Sequence, residues 1–191
     1  MWGRGSLIAA LCVCSVVTSD GLALAEDDDP SAASGRFGLV LAFRDNLGDL
    51  GDLYNWGVLW GFHAGLDKPV GESDWHVGVG WSTLVRGYYF SSDSSQVNST
   101  IHLTEVDLGV TASHTVFRPG QRVFGSGGAV MLLSNLPIPP ADERRYFGWY
   151  AGLGYKRNVI GEWTMSVEAR YSRLGHGLAN LNLVFGMTAG L

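Results

Sequence analysis

The sequence predicts an all-β fold, an eight-stranded antiparallel up-and-down barrel that crosses a membrane with its strands. Three observations predict it. Two successive runs between Tyr54 and Arg86 alternate with a period of two: Trp56, Val58, Trp60, Phe62, Ala64 and Leu66, then Trp75, Val77, Val79, Trp81, Thr83 and Val85. Side chains of a strand point alternately to opposite sides, so each run has one strongly apolar face. The opposite faces (Gly57, Leu59, Gly61, His63, Gly65; His76, Gly78, Gly80, Ser82, Leu84, Arg86) are small and polar, with almost no lysine in the strands. A strand facing bulk water carries more charge than that. The apolar face therefore meets lipid and the small face lines a narrow lumen. Third, outside the N-terminus no apolar run approaches the roughly 20 residues that a spanning helix needs. A membrane protein without such a helix uses strands, because lipid satisfies no open backbone group.

Composition sets further bounds. The chain has 191 residues, which predicts one domain, and 16% of them are charged, with a net charge of -5. Its charge is too low for a disordered chain, and it is too acidic overall for a nucleic-acid binder.

Met1 to Ala25 reads as a secretory signal peptide: Arg4 is the positive end, Leu7 to Val17 the apolar region, and Ala23-Leu24-Ala25 the small-x-small cleavage site. Cys12 and Cys14 both lie in it, after Leu11 and Val13 rather than after the small residue a lipoprotein signal wants, so the mature chain has no cysteine. Residues 26–34, with Asp27, Asp28 and Asp29, form an expected flexible acidic leader, and residues 35–191 the barrel. A secreted eukaryotic reading would make Asn98-Ser99-Thr100 a glycosylation sequon.

The first strand, Gly35 to Phe43, sends Phe37, Leu39, Leu41 and Phe43 outward. The Trp-rich pair follows. The fourth strand, Ile101 to Ser113, faces Val106, Leu108, Val110 and Ala112 outward and Glu105, Asp107, Gly109 and Thr111 inward. Val123 to Leu133 is the fifth, its alternation blurred by Gly125, Gly127, Gly128 and Ala129. Tyr146 to Lys156 and Glu162 to Ser172 alternate clearly, the latter with Glu168 and Arg170 inward. Leu181 to Leu191 completes eight. Of the connections, Arg44–Leu53, Gly87–Thr100 and Ser134–Arg145 are long, Asp67–Ser73, His114–Gln121 and Arg157–Gly161 shorter, and the last, Arg173–Asn180, is short for an external loop. Outer-membrane barrels alternate external loops with periplasmic turns in this way, and an even strand number leaves both termini periplasmic.

Charges inside the strands fall on the inward face: Arg86, Glu105, Asp107, Lys156, Glu162, Glu168 and Arg170. Lys156 and Glu162 flank one turn and Arg86 and Glu105 one loop, which makes them expected partners. An eight-stranded barrel has room for side chains or one small ligand, so the expectation is a lumen filled by ion pairs. The alternative is a catalytic carboxylate pair of Glu105 and Asp107. Trp56, Trp75, Trp81, Trp149, Trp163 and Tyr171 read as the interfacial aromatic girdle. A sugar-stacking site is the alternative. The run Asp45 to Asp52 offers hard oxygen ligands without an EF-hand's spacing and reads as a solvated acidic loop. No metal and no cofactor is expected.

Residues 35–191 resemble the small eight-stranded outer-membrane proteins of the OmpA/OmpX type, although the chain ends in Leu191 rather than the usual terminal aromatic. That resemblance implies a bacterial outer-membrane location, contact with lipid and lipopolysaccharide, assembly by the barrel assembly machinery, and a monomer. Locally, Arg170-Tyr171-Ser172 resembles the region around the His-x-Ser motif of lipid A deacylases. Ser172 stands at the nucleophile position, but Arg170 replaces the activating His, and no Asp or Glu follows Glu168. An arginine accepts no proton at neutral pH, which leaves His176 in the following loop as the candidate base. The expected role is structural or surface-interacting, not a general diffusion pore. Rivals are a barrel enzyme modifying lipid A or phospholipid, and a lipocalin-like carrier with its apolar face turned inward.

Overall fold

The computed structural model describes residues 33–47, 56–90, 103–138 and 143–191. The signal and most of the leader lie outside them, as do Asn98 and most of the acidic loop. Eight strands run in chain order: β1 (Ser34–Leu47), β2 (Trp56–Pro69), β3 (Trp75–Phe90), β4 (Leu103–Thr115), β5 (Gln121–Ile138), β6 (Glu143–Ile160), β7 (Trp163–Leu174) and β8 (Ala179–Gly190). Each pairs antiparallel with the next, and β8 pairs back onto β1 from Arg36↔Gly190 to Leu47↔Ala179, closing the barrel. Closure leaves no open sheet edge.

The chain folds this way because a period-2 pattern runs along its strands, most cleanly in β1 and β8. In β1 and β8 exposed and buried positions alternate almost without a break. Phe37, Leu39, Leu41 and Phe43 are exposed on β1, and Leu181, Leu183, Phe185 and Met187 on β8. Outward rings meet across strand boundaries: Phe37 stacks on Phe62 at 6.0 Å, and Phe43 meets Phe185 edge-on at 5.9 Å. Apolar side chains exposed on this scale around a closed sheet fit lipid and do not fit water.

The barrel has a turn end and a loop end. The turn end carries residues 70–74, 116–120 and 161–162, the start of β1 and the finish of β8. At the loop end lie the opposite strand ends, Leu47 and Trp56, Phe90 and Leu103, Ile138 and Glu143, with a 3-10 turn at Gly175–Gly177 between β7 and β8.

Several strands run further than the alternation alone predicts. β1 continues to Leu47, so Arg44 and Asn46 join the inward face, and β2 continues to Pro69, bringing Asp67 inward. β6 continues to Ile160, where a two-residue turn with Gly161 at φ +55° replaces the expected five-residue connection. Glycine suits that left-handed position. The expected long connection after β5 is mostly strand, since β5 reaches Ile138 and pairs it with Glu143.

Candidate functional site in the lumen

Inward residues divide the lumen into two halves of different chemistry. In the loop-end half, Arg44 of β1 lies fully buried against Glu105 of β4 and donates from Nε to Asn182 of β8 at 2.9 Å. Arg170 of β7 pairs with Asp107 of β4 and chelates Glu168, donating from Nε at 3.1 Å and from a terminal nitrogen at 3.0 Å. The Arg170 guanidinium also sits 4.4 Å from the centre of the Tyr150 ring. Ser126 donates to Glu168 at 2.5 Å, and Asn182 to Asn180 at 2.8 Å. Five charged side chains from β1, β4 and β7 thus span the lumen as two ion-paired groups. Apolar side chains pack around them: Leu59, Leu84, Val40 and Val184 on one side, and Leu103, Leu132, Tyr146, Tyr150 and Leu178 on the other.

Glycine makes room for this layer. A Cβ on Gly109 would collide with the Tyr150 hydroxyl, and one on Gly152 with the Glu168 carboxylate and the Ser126 hydroxyl. These inward glycines mark where a large side chain from a neighbouring strand crosses.

The turn-end half is more open. Asp67 of β2 accepts on a single oxygen from both Arg122 of β5, at 2.8 Å, and Lys156 of β6, at 3.1 Å. Arg36 of β1 donates to the Thr164 hydroxyl at 2.5 Å, and Thr164 donates on to Asn158 at 3.1 Å. Between this layer and the Arg170–Glu168 group lies a cavity of about 120 Å³.

The expected site residues are placed as follows. Glu105, Asp107, Glu168 and Arg170 meet at the loop-end half, where each carboxylate is engaged by an arginine. Glu105 and Asp107 are thus each held in an ion pair. Arg86 lies on β3, and its side chain is outside those described. One expected partnership, Lys156 with Glu162, is corrected. Because β6 continues past Arg157, Lys156 lies opposite Ser166 and its ammonium reaches Asp67, while Glu162 sits in the turn, exposed. Glu105 takes Arg44, a residue that the shorter strand had left in a loop.

Among the expected girdle residues, Trp149 and Tyr171 face outward on adjacent strands of the loop-end half, ring centres 5.8 Å apart. Trp75 and Trp163 lie exposed at the turn end, and Trp75 meets His114 edge-on at 4.8 Å. Trp81 belongs to neither group: it pairs with Ala64 and Leu108 midway along the wall. The side chain of Trp56 lies outside those described. Ser172 is completely buried opposite Tyr150 and Asn180, and its hydroxyl has no hydrogen-bond partner. His176 is exposed at φ 60°, edge-on to Tyr146, and makes no bond to that hydroxyl. No group of three or more His, Cys, Asp or Glu among the described residues has metal-binding geometry.

No protein-family model matches the sequence, and no curated protein matches it. Solved structures do. Ail, the attachment invasion locus protein of Yersinia pestis, superposes with a TM-score of 0.57 at 14% identity, over 83% of this chain and 97% of that one. Neisserial surface protein A superposes at 0.52 and 10% identity, over 83% of this chain and 98% of its own. The outer-membrane protein AlkL superposes at 0.51 and 11% identity, over 87% and 94%. The chain has the fold of the small outer-membrane barrels. Within that fold the outward rows are lipid-facing by design and the lumen is the wall's inner face. A lipocalin-like carrier needs the reverse facing, with an apolar interior around its ligand.

Proposed function

We propose that this protein is an integral barrel of a bacterial outer membrane, with both termini periplasmic, that acts as a structural or surface-interaction protein and not as a general diffusion pore. The observation carrying the proposal is the loop-end layer, in which Arg44–Glu105 and Arg170–Asp107–Glu168 cross the lumen among packed Leu and Tyr side chains. A lumen filled by its own ion pairs leaves no aqueous path of the kind a porin has. What remains for interaction is the outside of the barrel and its loop end. The outward surface suits lipid and lipopolysaccharide, and Arg145 and Arg173 lie exposed on the strands beside Trp149 and Tyr171. Assembly would use the barrel assembly machinery, and a closed sheet supports a monomer.

Ser172 does not favour the deacylase-like reading, because its hydroxyl is sealed and its strand neighbour Arg170 is committed to two carboxylates. Placement in the membrane is tested by single cysteines at Phe117, in a turn, and at His176, in the last loop. A membrane-impermeant maleimide should label the His176→Cys variant on intact cells, and the Phe117→Cys variant only after the outer membrane is permeabilised. The reverse pattern would invert the orientation. Labelling of neither site, even in extracts, would remove the exposure on which the test relies.

A further inference from the structure

The turn-end half of the lumen carries three cations, Arg36, Arg122 and Lys156, against one carboxylate, Asp67. The carboxylate is used unevenly. Both Arg122 and Lys156 address the same oxygen, and the other has no partner. Arg36 makes no ion pair among the described residues, and its Nε is buried without a hydrogen-bond partner. Glu162, on the adjoining turn, is exposed and pairs with none of the three. Arg36 and Lys156 both line the cavity of about 120 Å³, together with the hydroxyl-bearing Ser166 and Thr188 and the Asp67 carboxylate beside Lys156. Positive charge in excess of its carboxylates, on a part-buried wall that solvent still reaches, draws a small anion to it.

We infer that this chamber binds a small oxyanion of the phosphate class, bridged between the guanidinium of Arg36 and the ammonium of Lys156. A guanidinium presents paired N–H donors that match two oxygens of such a group, and an ammonium adds a point charge beside them. The far wall sets the size limit. There Glu168 is held by Arg170 and Ser126, and an extended anion would run into that carboxylate. The inference goes beyond the proposed surface role and does not depend on it.

The experiment uses the protein extracted in dodecyl maltoside, which carries no phosphate, with binding read by calorimetry and phosphorus NMR. The probes are inorganic phosphate and glycerophosphoglycerol, the soluble headgroup of an anionic lipid. Saturable binding of one equivalent of inorganic phosphate is expected, weakened at least about tenfold by Arg36→Gln. The exposed Arg173→Gln variant should bind as the parent does. Binding of the headgroup alone would assign the same chamber to a lipid phosphate. If Arg36→Gln does not fold, Thr188→Leu, which fills the chamber from the neighbouring strand β8, must abolish binding. Absence of saturable binding of both probes overturns the inference. So does unchanged affinity in a folded Arg36→Gln or Thr188→Leu protein.

Discussion

The two halves of one lumen are built from the same strands, yet they solve the burial of charge in opposite ways. At the loop end three carboxylates (Glu105, Asp107, Glu168) meet two arginines, and all five side chains are nearly or fully removed from solvent. At the turn end three cations meet one carboxylate, and Arg122 and Lys156 keep 18% and 15% of their side-chain surface exposed. The first arrangement works only if every partner is present, because no water replaces a lost one. The second tolerates imbalance, since all three of its cations are only part-buried. One half is a plug and the other a vestibule.

The largest effect should come from opening the plug. Arg170→Met strips Asp107 and Glu168 of their shared cation while leaving both buried, and should cost about 3–5 kcal/mol of stability. Urea midpoints in a fixed detergent or lipid measure it. In the vestibule, Asp67→Asn removes a charge bonded to two cations that can turn toward water, so a smaller loss of about 1–2 kcal/mol is expected. A larger loss for Asp67→Asn than for Arg170→Met would reverse the contrast between the halves. Ser172→Ala should be nearly silent, within about 0.5 kcal/mol, because the buried hydroxyl forms no hydrogen bond to lose. A substantial loss there would reveal a partner, such as an ordered water, that gives Ser172 a structural part.

The barrel was legible in the sequence because its cause is local: each strand repeats inward and outward residues at a spacing that no helix shares. The facing of Phe37, Val79, Leu153 and Phe185 follows from parity alone. The partners across the lumen were not legible, since they depend on register between strands distant in sequence. Arg44 and Asp67 show the limit well. Each continues the inward parity of its own strand by one step, Ala42 to Arg44 and Gly65 to Asp67, but charge and turn-forming neighbours made a loop the natural reading. Extending parity until it fails, rather than stopping at the first charge, would have found both. The fifth strand was blurred for a different reason. Gly128 packs where a Cβ would strike the backbone of β4, so its missing side chain reflects close approach and not a broken strand.

The central claim is that the loop-end layer closes the lumen, and conductance across a planar lipid bilayer tests it most directly. Purified protein, inserted at single-molecule density in high salt, should give no resolved channel steps, while Arg170→Met, if it still folds, should give small or flickering ones. Regular steps from the unaltered protein, of the size that a water-filled pore gives, would contradict the account.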